Sequence, residues 1–134
     1  MKDFNCTLLI DDDEVCNYVS KRLLEKTIIT NGIQTVSNGL EALRFIVNYD
    51  PDFNTCPELI FVDINMPVMG GIEFLDSFTR LEFLNKEKVI IVMLASVYNE
   101  EDIDHCKELG IKHFLVKPLT EEKVGQLIEE ISSQ

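Results

Sequence analysis

The chain has 134 residues, 46% of them hydrophobic, which is the size of one ordinary domain with a single sizeable core. Its 24 acidic against 12 basic residues leave a formal charge of -12, which repels phosphate backbones and, with no Lys/Arg cluster to offset it, argues against direct DNA binding. The four cysteines, Cys6, Cys16, Cys56 and Cys106, are scattered without a C-x-x-C pair, so they read as reduced thiols of a cytoplasmic protein rather than as a zinc site or a disulfide framework.

The first apolar run, Cys6 to Ile10, is too short for a signal peptide or a membrane span and reads as a buried strand. It leads into four consecutive acids, Asp11, Asp12, Asp13 and Glu14. Two carboxylates about 4 Å apart repel by roughly 4 kcal/mol at an effective dielectric near 20, so the cluster asks for a positive partner. Asp13 is placed to cap the helix that follows, with Glu14 in its first turn where the helix dipole favours an acid. Val15, Val19, Leu23 and Lys26 predict the inward stripe of that helix, and Gly32 its stop. Ile33 to Val36 is a second strand. Asn38 with Glu41 resembles a capping box, and Leu40, Leu43 and Val47 predict the second helix face. The connection "NYDPDFNTCPE" is long and polar and predicts a surface excursion.

Leu59 to Val62 is a third strand, followed by "DINMPVMGG" beginning at Asp63, in which Pro67 and the glycines turn the chain and let a helix start close to the sheet. Val89 to Leu94 is a fourth, ending at Ala95 and Ser96. Asn99 with Asp102 marks another helix start and Gly110 its end. His113 to Val116 is a fifth strand, ending at Lys117-Pro118, and Val124, Leu127, Ile128 and Ile131 form the last stripe, interrupted by an unexplained Gly125. Met66, Met69 and Met93 read as packing residues, and His105 and His113 as ordinary surface or edge histidines.

Five βα units predict an α/β fold, a doubly wound five-stranded parallel sheet of order 2-1-3-4-5, flavodoxin-like, in one domain spanning 1-134. Such sheets bind ligands at the carboxyl ends of their strands, at the switch point between strands 1 and 3. Asp11, Asp12 and Asp63 converge there, and Lys117, Ala95 and Ser96 end their strands at the same edge. An oxygen-rich site of this kind suits Mg²⁺.

Together the acid pair, "DINMPVMGG", Lys117-Pro118 and the intervals between them resemble the receiver domain of two-component response regulators, the CheY-like family. The resemblance implies that Asp63 accepts a phosphoryl group from a histidine kinase or a histidine phosphotransfer protein. It implies that Asp12 binds Mg²⁺ directly, Asp11 largely through water, and the backbone carbonyl of Asn65 supplies another ligand. Lys117 would hold a phosphoryl oxygen, and the Lys117-Pro118 bond would be cis. The expected protein is a stand-alone receiver without an output domain, not an enzyme but a phosphoacceptor that assists its own phosphorylation and dephosphorylation. Its signal would leave by binding a downstream protein through a face that includes His105, Lys112, Phe114 and Pro118. Without metal, the crowded acids should push at least one carboxyl to titrate high.

One position departs from the family. Ala95 stands where a Thr or Ser usually bonds the phosphoryl group, and Ser96 replaces that hydroxyl only if the strand end is bulged or shifted. A degenerate receiver that binds partners without phosphorylation is therefore an alternative. A haloacid-dehalogenase-like phosphatase is a weaker one, since Asn65 stands where its second Asp belongs. An EF-hand reading fails at Cys16 and Arg22, and a dinucleotide-binding reading fails because acids replace the Gly-rich turn.

Overall fold

The computed structural model describes residues 3–4, 6–30, 32–48, 57–66, 68–81 and 89–133. Five strands, β1 (Thr7–Ile10), β2 (Ile33–Val36), β3 (Leu59–Asp63), β4 (Ile90–Ala95) and β5 (His113–Val116), pair in parallel in the order β2-β1-β3-β4-β5. Among the described residues the helices are α1 (Glu14–Thr27), α2 (Gly39–Val47), α3 (Gly71–Thr79), α4 (Glu100–Glu108) and α5 (Glu121–Ser132). The expected doubly wound sheet is the observed one, with strand ends within one residue of those read from the apolar runs. The 48–58 connection lies mostly outside the described residues, as do Cys56 and Pro67.

Alternating strand residues serve two cores. Leu8, Ile10, Ile60, Val62, Met93 and Ala95 pack with Ala42, Ile46, Phe74 and Cys106 from α2, α3 and α4. Leu9, Leu59, Phe61, Val92 and Leu94 pack with Leu24 of α1 and with Val124, Leu127, Ile128 and Ile131 of α5. Both faces are covered, which is why the strands read as unbroken apolar runs instead of an alternating pattern.

Two of the predicted helix faces are corrected. In α1, Val15 is 72% and Val19 57% exposed, and the buried residues are Asn17, Ser20 and Leu24. Polar residues line the inner stripe because that end of α1 packs against the acid-rich strand end, where the Asn17 amide donates to the Asp11 carbonyl at 2.8 Å. In α2 the buried positions are Gly39, Ala42 and Ile46, while Val47 is exposed, so the true face includes small residues that an apolar count passes over. The α5 stripe is buried as expected.

The helix stops divide likewise. Gly32 does not end α1; the helix stops at Thr27, with Ile28 already extended at φ -124 and ψ 157. The run Thr27-Ile28-Ile29-Thr30 is wholly β-branched, which disfavours helix and suits extended backbone. Ile29–Thr30 pairs in parallel with Asp3–Phe4. Asp3 faces Ile29 and Thr7 faces Ile33, a constant offset of 26 residues, so this short pair prolongs the β1–β2 register. Gly110 does end its helix: at φ 92 it donates to Lys107, while Ile111 donates back to Cys106, a Schellman closure that a residue with a side chain rarely adopts.

Helix starts follow the sequence. Asp13 accepts from the amides of Val15 and Cys16, Asn38 from Glu41, Asn99 from Asp102 and Thr120 from Lys123. The Glu41 carboxylate accepts from Ser37 rather than from the cap residue itself.

Candidate functional site

The sheet carries its polar residues to one edge by continuing each ladder one step past the apolar core. Asp63 is the last residue of β3 and faces Leu94 of β4. Asp11 follows β1 and still donates its amide to Val36 at 3.1 Å; Lys117 follows β5 and donates its amide to Ala95 at 2.9 Å. The register thus fixes three charged residues relative to one another before any side-chain contact forms.

Lys117 then joins the acids. Its Nζ lies 2.6 Å from Asp11 Oδ2 and 3.1 Å from Asp63 Oδ2. Both acids are buried, Asp11 at 1% and Asp63 at 6% exposure, whereas Asp12 and Asn65 are exposed. Asp11 Oδ1 also accepts the Asp13 amide at 3.0 Å, so the cap residue of α1 helps to hold the buried acid. One carboxylate oxygen from each of Asp11, Asp12 and Asp63 lies within 4.8 Å of the others. Three hard oxygen donors at that spacing, one of them facing water, fit a Mg²⁺ ion that keeps part of its hydration shell.

The two buried acids titrate in opposite directions. Burial pushes Asp11 up, but the hydrogen bond from Lys117 and the Asp13 amide outweigh it and hold the carboxyl below its ordinary value. Burial raises Asp63 more than Lys117 lowers it, and the neighbouring Asp11 charge adds to the rise. Lys117 is held above its usual range by its two acids despite burial. One acid does titrate high, as expected; the chief cause is loss of water, with acid-acid repulsion the smaller contribution.

Close packing also shapes the loop after Asp63. A Cβ on Gly71 would lie 2.5 Å from the Asp63 carbonyl oxygen, so only glycine lets α3 start against the strand end. Gly71 donates to the Ile64 carbonyl, and Gly39 of α2 donates to Met69 within the same loop. Met93 is fully buried and Met66 and Met69 pack on the core, as packing residues should. Lys117-Pro118 is cis.

The sequence profile described as the response regulator receiver domain matches residues 7–129. This chain belongs to the response regulator receiver family. It is 31% identical over 129 residues to the sporulation initiation phosphotransferase F of Bacillus subtilis, covering 94% of this chain and 93% of that protein. It is 33% identical over 127 residues to the hybrid signal transduction histidine kinase F of Dictyostelium discoideum, covering 92% of this chain but only 11% of the kinase. The crystal structure of a two component response regulator from Cytophaga hutchinsonii superposes with a TM-score of 0.84 at 26% identity, covering 99% of this chain and 100% of that one. Receiver domains are phosphoacceptors of two-component signalling, take their phosphoryl group from histidine kinases or phosphotransfer proteins, and bind Mg²⁺ at an acidic pocket.

Within this receiver the remaining predicted residues fall as follows. Ala95 ends β4 inside a constant register with β5, Val92 facing His113 and Ala95 facing Val116, so the strand carries no bulge that would bring Ser96 into its place. Ser96 is exposed and makes no side-chain hydrogen bond among the described residues. Phe114 is half-buried and meets the ring of Tyr98 edge-on at 5.8 Å. Sequence reasoning passed over Tyr98, whose only signal was a lone aromatic between a strand end and a cap. His105 is surface-exposed, as expected, and reaches Asp76 of α3 at 3.1 Å. His113 sits on the edge strand but is 7% exposed, with Nδ1 3.7 Å from Glu130, because the α5 stripe covers that strand. No helix among the described residues is long and apolar enough to cross a membrane.

Exposed Val15 and Val19, the residues wrongly assigned to the core, flank a hollow of about 250 Å³ beside the site. Cys16, Lys117 and Leu119 also line it. The apolar spacing in α1 therefore marks an open rim.

Proposed function

We propose that this receiver accepts a phosphoryl group at Asp63 from the phosphohistidine of a kinase or histidine phosphotransfer protein, with Mg²⁺ held by Asp11, Asp12, Asp63 and the Asn65 carbonyl. The observation that carries the reading is Lys117 Nζ, 2.6 Å from Asp11 and 3.1 Å from Asp63, beside a triad of carboxylates within 4.8 Å. A carboxylate nucleophile needs its own charge and that of the incoming group offset while the reacting atoms stay in line. Bound Mg²⁺ supplies positive charge toward the transferring oxygens. Lys117 turns from its acids to a phosphoryl oxygen, and the buried position of Asp63 keeps competing water from most of its surface. The protein acts as a phosphoacceptor with no turnover of a small substrate beyond its own phosphorylation and dephosphorylation.

The donor approaches over α1, where Val15, Val19 and Leu119 present apolar surface next to Lys117. Signal leaves by protein binding through the face carrying His105, Lys112, Phe114 and Pro118. Thiol-state Cys16 and Cys106 favour a cytoplasmic setting.

Acetyl phosphate with Mg²⁺ tests the proposal by intact-mass measurement. A gain of one phosphoryl group on the wild type and none on Asp63→Asn is expected, and chelation should abolish the gain. No gain with any divalent cation would overturn the reading in favour of a binding module that Ala95 has uncoupled from phosphorylation. Steady hydrolysis of a small phosphate ester would point instead to a phosphatase.

A further inference from the structure

Tyr98 lies in the loop joining β4 to α4, and its hydroxyl is aimed back at the sheet. The oxygen lies 2.9 Å from the Met93 carbonyl in β4 and also reaches the Leu115 carbonyl in β5. Its ring meets Phe114 at an interplanar angle of 81°. Met93 is one residue before Leu94, which faces Asp63 across the β3–β4 ladder. The loop is thus fastened to the sheet one step from the acceptor's own strand partner. Burial pushes the phenol up to about 12, so it stays a donor at neutral pH. One proton shared between two carbonyls keeps a partner when β4 and β5 shift slightly, since either oxygen can accept it.

At the neighbouring position Ala95 offers only a methyl group, buried in the core toward α2, α3 and α4. A group on Asp63 therefore finds no side-chain hydroxyl at residue 95 with which to draw the loop inward. The contact that holds the loop comes from its far end.

We propose that Tyr98 is a latch that positions Phe114, holding residues 96–99 and the Phe114 ring against the sheet whether or not Asp63 is phosphorylated. Opening of this face is then governed by the Tyr98 hydroxyl in place of a hydroxyl at residue 95. The first half of the proposal stands on the unphosphorylated protein alone; the second rests on Asp63 as the acceptor.

The test uses the full chain and Tyr98→Phe, which keeps the ring and removes only the hydroxyl. Amide hydrogen exchange is measured without any phosphodonor. Loss of one part-buried hydrogen bond of about 1 kcal/mol corresponds to roughly fivefold faster opening, so the amides whose acceptors lie in or beside the loop, Asp102 and Ile103 onto Asn99 and Lys117 onto Ala95, should exchange about fivefold faster, with β1 and β3 amides unchanged. Exchange at those three amides within twofold of wild type, or an equal increase throughout the chain, would overturn the latch. The second arm adds Mg²⁺ and beryllofluoride as a phosphoryl mimic and follows the Phe114 ring resonances. They should move less in the wild type than in Tyr98→Phe, and equal movement refutes control by the latch. If beryllofluoride perturbs nothing near Asp63 in either protein, the acceptor reading fails, and the exchange comparison still decides whether Tyr98 holds the loop.

Discussion

Replacing each buried acid by its neutral isostere should change stability in opposite directions. Asp11 and Asp63 share Lys117 and the same strand edge, yet Asp11 is held below the ordinary carboxylate value of 3.8 and Asp63 above it. A lowered folded pKa means that ionised Asp11 stabilises the fold above pH 3.8, and the contribution is lost as pH falls through the lowered value. A raised folded pKa means that Asp63 favours the fold most when protonated; stability falls as pH rises from 3.8 through the raised value, and at pH 7 its charge is a net burden. Lys117 meets Asp11 Oδ2 and the Asp13 amide meets Oδ1, so in Asp11→Asn the single amide oxygen keeps one of these contacts in neutral form and the NH2 group loses the other. With charged bonds at ~1.5–3 kcal/mol and neutral ones at ~0.5–1.5, the weakened contact costs about 1–1.5 and the lost one about 1.5–3, together about 2.5–4.5 kcal/mol. For 134 residues the unfolding entropy is about 0.28 kcal/mol/K, so Tm should fall by ~9–16 °C. Thermal melts at pH 7 in chelator should show that fall, and a rise in Tm for Asp63→Asn. Mg²⁺ should raise the wild-type Tm by mass action and raise neither variant as much. A lowered Tm for metal-free Asp63→Asn, or an unchanged one for Asp11→Asn, would refute this account of the site's electrostatics.

Asp13→Ala removes the two amide contacts that cap α1 but leaves the carboxylate triad intact, so stability should drop by ~1 kcal/mol, about 4 °C in a melt, with acetyl-phosphate labelling retained. Gly71→Ala places a methyl group 2.5 Å from the Asp63 carbonyl; displacement of the loop should show as large amide shifts from Ile64 to Gly71 and loss of at least ~1–3 kcal/mol in denaturant unfolding. Gly125→Ala meets open space in the middle of α5 and should raise stability by ~0.8–1 kcal/mol, read as a higher denaturation midpoint at unchanged slope.

How far the site could be read from the chain depended on where its geometry is stored. Asp11, Asp63 and Lys117 are each placed by strand ends, and strand ends were visible because a strand covered on both faces is a short apolar run that stops when it leaves the core. The caps at Asp13, Asn38 and Asn99 were visible because they bond amides two or three residues away. Helix faces were less legible. Val15 and Val19 have inward spacing, but the inward positions belong to Asn17 and Ser20, whose role is set by a strand end that lies next to them only after folding.

Composition, apolar runs and local capping determined the element order and which charged residues end the strands, because each of these depends on neighbours within a few residues or on the path of one strand; the sheet order followed from the βαβ alternation and its right-handed crossovers. Tertiary packing alone decided which of the two buried acids keeps its charge easily, since Lys117 stands closer to Asp11 than to Asp63 and burial weighs on both. It also decided that the valines of α1 form an open rim, and that Tyr98 reaches two strands with one hydroxyl. Those outcomes arise where elements distant in the chain compete for the same space, and only the folded arrangement resolves that competition.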